Sequence, residues 1–196
     1  MIEGPDYNKA TNAAYEILQK YDGGFPQIDI SQLLSSFPNV KVHTYSEIAS
    51  LIGVSVPVFI EEYAESDMGY TVFDKAKKRA LIYYNDIKSE TTIRFTIAHE
   101  LGHIVLGHTE DNSVTDKEAN CFARNLICPV PIRDELGLVT LNDYCLAFDI
   151  SDRMAQVVID MNSNDAYYIS ENNYGAVNDK VYCYFTGCTL EQLYGY

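Results

Sequence analysis

The amino-acid sequence predicts an α+β fold in which a small sheet and one long buried helix are followed by a helical pair and a tyrosine-rich C-terminal segment. Three observations carry that prediction. Two β-rich runs, Gly69–Phe73 and Arg79–Tyr84, are separated by a short lysine-rich link. Glu90 to about Leu106 repeats apolar residues at helical spacing around most of its circumference. Two further helical patterns, Leu141–Phe148 and Ser151–Asn162, flank the turn Asp149-Ile150. With 196 residues, 47% of them hydrophobic and 21% charged, the chain can bury a sizeable core. One domain over residues 1–196 is expected, with a core region at 69–131, the helical pair at 141–162 and the C-terminal segment at 163–196.

The elements follow in order. Residues 8–21 place Ala10, Ala13, Ala14, Ile17, Leu18 and Tyr21 at helical spacing, and Gly23-Gly24 stops the run. Ile30–Phe37 reads as a short helix capped by Asp29 or Ser31 and ended by Pro38. Val40–Tyr45 alternates as a strand does, residues 46–53 suit another helix, and a loop is expected through Pro57. The two β-rich runs form a hairpin whose link carries Lys75, Lys77 and Lys78 as a solvated tip. Ser89 is the natural N-cap of the long helix and Gly107 its stop. A polar loop then leads to a helix at about Asp116–Cys128, which Pro129 and Pro131 terminate. The tail has strand-like runs at Ala166–Ser170 and Val181–Thr186, so a β-hairpin completing the core is expected there. Half of the 16 tyrosines lie at or after Tyr144, and tyrosine also favours interfaces.

The 28 acidic residues outnumber 14 basic ones, for a net charge of −14. Such a surface repels phosphate backbones and anionic leaflets, so neither nucleic acid nor a membrane is the expected partner. No run approaches the ~20 apolar residues of a membrane span, and the acidic start does not read as a secretory signal. A cytoplasmic location is expected, with the five cysteines as free thiols.

The chemistry concentrates in Ile97-Ala-His99-Glu100-Leu-Gly-His103. Histidines at i and i+4 lie one above the other on a helix, so both imidazoles can reach one zinc ion. The intervening glutamate projects beside that face, where it can take a proton from a metal-bound water. In a chain with four histidines the chance expectation for this pattern is about 0.005, which makes coincidence a poor explanation. The pattern also lies inside an apolar helix, where two histidines and a carboxylate are costly unless they pair or bind metal.

A hydrolytic zinc usually takes three protein ligands and leaves one position for water. His108 follows His103 by five residues, one short of the spacing of a third-histidine zinc protease. Glu110, Asp111 and Asp116 lie on or next to the polar loop, where acidic residues are normally solvated. Glu118 flanks the apolar stripe Ala119, Phe122, Ala123, Leu126 and Ile127, and its separation from His103 allows a second helix to fold alongside the first. Thr115-Asp-Lys-Glu118 is equally a capping box, and a helix start at Ser113 would free Glu118 from it.

The stretch Arg94-Phe-Thr-Ile-Ala-His99-Glu-Leu-Gly-His103-Ile-Val-Leu-Gly-His108, with Glu118-Ala-Asn-Cys-Phe-Ala123 and Leu126-Ile-Cys-Pro129, resembles the ImmA/IrrE family of metallo-endopeptidases. The resemblance covers residues 69–131, with a weaker likeness over Leu141–Met161. It implies a zincin-like fold with an active-site helix, a zinc cofactor held by His99, His103 and Glu118, and Glu100 as catalytic base. It further implies a cytosolic endopeptidase that cleaves a regulatory protein, typically a transcriptional repressor of a mobile element. The alternative is a catalytically weak metal-binding sensor, or a regulator that binds a protein through the same fold.

A peptide substrate would pair with an exposed strand edge, and Arg79–Tyr84 is the strand expected to supply it. Tyr83, Tyr84 and His108 are candidates to stabilise the oxyanion. The helical pair has the outline of a helix-turn-helix, but between Asp134 and Asn162 only Arg153 is basic, against six acidic residues. Packing through Met154, Val157, Val158 and Met161 is the expected role of that pair. The sequence carries no signal for oligomeric state.

Overall fold

The computed structural model describes residues 4–74 and 76–195. Lys75, at the expected hairpin tip, lies outside the described residues. Helix α1 (Tyr7–Leu18) is capped by Asp6 and followed by α2 (Ile30–Ser35), capped by Asp29. Strand β1 (Val40–Thr44) runs directly into α3 (Tyr45–Ile52) through a Thr44/Glu47 capping box. The expected loop through Pro57 is instead α4 (Val56–Glu62), because proline in the first turn forfeits no intrahelical hydrogen bond.

Strands β2 (Gly69–Asp74) and β3 (Arg79–Tyr84) form the expected antiparallel hairpin. Strand β1 adds to β3 in parallel register, Val40 opposite Ala80, giving the order β1-β3-β2. Arg79–Tyr84 is therefore the central strand, and the expectation that it offers an edge to a peptide is corrected. Its main chain is used on both sides. The free edges belong to β1 and β2.

Alternation along the hairpin divides the sheet into two faces. Tyr70 and Tyr83, directly opposite one another, stack at 5.1 Å and pack with Tyr45 and Phe59 beneath α3 and α4. Thr71 and Ile82 share the other face, which α5 (Glu90–Leu106) covers. That helix keeps its expected Ser89 cap and Gly107 stop. It is apolar nearly all round because the sheet lies on one side and α1 and α6 (Ser113–Ile127) lie on the other. At Gly102 a Cβ atom would stand 2.9 Å from the Phe122 ring and 3.3 Å from the Ala119 backbone, so glycine there permits the close α5–α6 approach. A second helix start, Asn112, caps α6 through a box with Thr115, which leaves Glu118 in the body of the helix.

Pro129 ends α6, but Pro131 sits in the first turn of a further helix, α7 (Val130–Leu136). The helical pair is present as α8 (Leu141–Phe148) and α9 (Asp152–Tyr168). Ala155, Val158 and Asp165 form the buried face of α9, whereas Val157 is exposed. Among the described residues the tail contains no strand. It forms α10 (Glu171–Thr186) and α11 (Leu190–Tyr194), and Ala166–Tyr168 continue α9. The expected hairpin fails because burial overrides the β-propensity of the aromatic and β-branched residues. Ser170 caps α10, and Val177 and Val181, one turn apart, are both fully buried. Lys180 from the same helix donates to the carbonyls of Leu18, Gln19 and Tyr21, capping the C-terminal end of α1.

A buried ionic cluster ties the helical layer together. Asp165 of α9 is fully buried between Arg124 of α6 (2.7 Å) and Arg133 of α7 (3.1 Å), and Asn125 donates to the same carboxylate. No helix among the described residues is long and apolar enough to cross a membrane.

Candidate metal centre

Helix α5 brings His99 and His103 together as their i, i+4 spacing requires, with their Nε2 atoms 3.1 Å apart. The close α5–α6 contact at Gly102 sets one face of α6 against them. Asp116 Oδ1 lies 3.7 Å from both Nε2 atoms. One turn further along α6, Asn120 presents its side-chain carbonyl to His99 Nδ1 at 3.0 Å. His99, His103 and Asp116 thus offer three ligand atoms to one point in space.

Glu118, the expected third ligand, does not join them. One of its oxygens accepts from His108 Nε2 at 2.8 Å and the other from the backbone N–H of Asp6 at 2.7 Å. The physical reason is the helical turn: Asp116 and Asn120 are four residues apart on one face of α6, and Glu118, midway between them, projects elsewhere. His108 in turn faces His103, Nδ1 to Nδ1, at 3.0 Å. It is therefore bound into the support of His103 rather than free to meet a substrate. Asp116 was passed over in the sequence because it adjoins a polar loop. The signal that could have found it is its i, i+4 relation to Asn120, opposite the i, i+4 histidines.

Proton placement shows what the cluster lacks. A carboxylate only accepts hydrogen bonds, so His108 donates to Glu118 from Nε2. A His108 ring that donates from Nε2 offers Nδ1 to the Nδ1–H of His103, and His103 then keeps a lone pair on Nε2. His99, donating from Nδ1 to the Asn120 carbonyl, keeps its Nε2 lone pair as well. Two lone pairs and a carboxylate oxygen then face one another across 3.1 and 3.7 Å, an arrangement that calls for a cation. A proton is a poor candidate. Burial holds both histidines below the ordinary imidazole range, His103 down to about 4 with further help from His99 and His108. Ligands about 2.0–2.1 Å from a tetrahedral zinc stand roughly 3.3–3.4 Å from one another, close to the observed triangle. The residues present fit zinc.

Glu100 is buried beside this cluster, and its Oε2 accepts from Thr71 Oγ1 of β2 at 2.8 Å. Burial raises its carboxyl to about 7, against the single lowering contribution of the Thr71 hydroxyl, and the acidic groups Asp111, Asp116 and Glu65 push the same way as burial. A carboxyl near neutrality can both take and return a proton. The site therefore brings together three convergent candidate ligand atoms, an adjacent buried carboxyl, and a hydrogen-bonded chain running from His103 through His108 and Glu118 to the start of α1.

Comparison with curated proteins finds no match. Residues 51–130, which span α4, the β2–β3 hairpin, α5 and α6, match the Peptidase M78 family, described as the IrrE N-terminal-like domain. This is a metallopeptidase-type family, which implies a metal cofactor, and the matched segment contains His99, Glu100, His103 and Asp116. With the matched segment and the histidine motif in agreement, residues 51–130 are assigned to the ImmA/IrrE family.

Proposed function

We propose that the protein is a zinc-dependent endopeptidase of the cytoplasm that cleaves a regulatory protein, a transcriptional repressor of a mobile element being the expected substrate. The observation that carries this reading is the triangle of His99 Nε2, His103 Nε2 and Asp116 Oδ1 with Glu100 buried beside it. His99, His103 and Asp116 would hold the zinc, with Asp116 taking the ligand role that the family resemblance assigned to Glu118. When bound, zinc supplies a Lewis acid that polarises a peptide carbonyl and acidifies a water.

The rest of the mechanism belongs to the chain's own residues. Glu100 takes a proton from the attacking water and returns it to the leaving amine nitrogen. Thr71 holds the Glu100 carboxylate in place through its hydroxyl. The Glu118–His108 pair fixes the His103 ring, and Asn120 fixes the His99 ring. The free edge of β2 is the nearest open main chain, because Thr71 of that strand already touches the base. A peptide paired there would run alongside Glu100 and the ligands.

The test is Glu100→Gln assayed against the parent with a candidate repressor. The variant is expected to retain one zinc per chain and to lose cleavage by at least about a hundredfold. Undiminished proteolysis would overturn the catalytic assignment. Retained zinc with no cleavage by the parent protein would favour the metal-binding sensor instead.

A further inference from the structure

Two neighbouring cysteines lie in the C-terminal helices, outside the family match. Cys183 is in the last turn of α10 and Cys188 follows the helix stop. Gly187, at φ +71, adopts the left-handed conformation that lets the chain double back, and the two Sγ atoms meet at 2.9 Å. All five cysteines are free thiols, and no other two have their sulfurs in hydrogen-bond contact among the described residues. A disulfide needs S–S of about 2.03–2.05 Å, so bond formation requires an approach of less than about 1 Å.

The two sulfurs differ in their surroundings. Cys183 is 8% exposed and Cys188 is half-buried, and both line a surface pocket with Tyr21, Phe25, Tyr184 and Leu190. Cys188 Sγ also accepts from Thr186 Oγ1 at 3.2 Å. Contact with Cys183 and the hydrogen bond from Thr186 hold the Cys188 thiol below its ordinary value, and contact with Cys188 pushes Cys183 up to about 11. The accessible sulfur is thus the better nucleophile and the sheltered one its neighbour.

We propose that Cys183 and Cys188 form a redox-active dithiol that is oxidised to an intramolecular disulfide by a small hydroperoxide. The Cys188 thiolate attacks one peroxide oxygen, the O–O bond breaks, and the leaving hydroxide or alkoxide takes a proton from solvent. Cys188 is now a sulfenic acid. Cys183 sulfur attacks Cys188 sulfur, the S–O bond breaks, and water leaves with the thiol proton of Cys183. Two thiols are oxidised to one disulfide, and the peroxide is reduced to water and an alcohol, or to two waters. The product joins the last turn of α10 to the residue that precedes the α11 cap.

The experiment uses the full chain, reduced, freed of reductant and treated with stoichiometric hydrogen peroxide. Thiols counted after denaturation are expected to fall from five to three, with a monomeric chain and peptide mapping that joins Cys183 to Cys188. In Cys183→Ser the reaction should stop at a sulfenic acid on Cys188, trapped by dimedone. In Cys188→Ser thiol loss should slow at least about tenfold. Five thiols surviving in the parent, a linkage between other cysteines, or a disulfide between chains would each overturn the proposal. The parent measurement stands even if a variant fails to fold.

Discussion

Glu100 carries an energetic cost that its chemistry explains. Its ordinary value of 4.5 is raised to about 7 by burial, so between those values the folded chain keeps a proton that the unfolded chain has lost. Stability of the metal-free protein should therefore fall as pH rises from about 4.5 to 7 on account of this residue, and stay reduced above that range. Glu100→Gln removes the ionisable group while leaving Thr71 an acceptor. The chelated variant is expected to exceed the parent by about 2–3 kcal/mol in urea denaturation at pH 8, and to match it near pH 4. A difference independent of pH would contradict the burial argument. His99 and His103 were legible in the sequence because their i, i+4 spacing alone puts them on one helical face, with Glu100 beside it. Asp116 was not, since its role depends on how closely α6 approaches α5, a distance set by Gly102 against Ala119 and Phe122.

At the scale of elements, the helices with strong local punctuation were readable. Ser89 and Gly107 bound α5, and α8 runs from Leu141 to Phe148 as its pattern requires. Elements specified by tertiary burial were not. Val181-Tyr-Cys-Tyr-Phe-Thr186 has the composition of a strand, yet Val177 and Val181 reach the core only as successive turns of α10, and Lys180 meets the carbonyls at the end of α1 only from that helix. The strand order likewise escaped sequence reading, because the parallel addition of β1 to β3 is a long-range pairing. The Arg124–Asp165–Arg133 cluster joins three helices, and its centre is the carboxylate. Asp165→Ala should leave two guanidinium groups buried without their partner and destabilise the fold by roughly 3–5 kcal/mol, read as a shift of the urea midpoint. A loss below about 1 kcal/mol would show that the cluster is not the tie it looks to be.

For the molecule as a whole, the net charge of −14 gains a location. Asp111, Asp116 and Glu65 are near enough to Glu100 to raise its carboxyl, so negative charge gathers beside the base and the ligands. A substrate with a basic contact face is expected, and kcat/KM should drop several-fold between about 50 and 300 mM salt. A flat salt profile would leave the charge without a role in recognition. The whole fold also reaches into the site, since the N-cap of α1, outside the family match, supplies the Asp6 N–H that anchors Glu118. The account depends most on which carboxylate completes the metal centre. Equilibrium zinc affinity of Asp116→Asn and Glu118→Gln, set against the parent, measures that directly. One zinc per parent chain is predicted, with Glu118→Gln weakening it by about 10–100-fold as an outer support and Asp116→Asn weakening it further. An unchanged affinity in Asp116→Asn beside a collapse in Glu118→Gln would contradict the assignment.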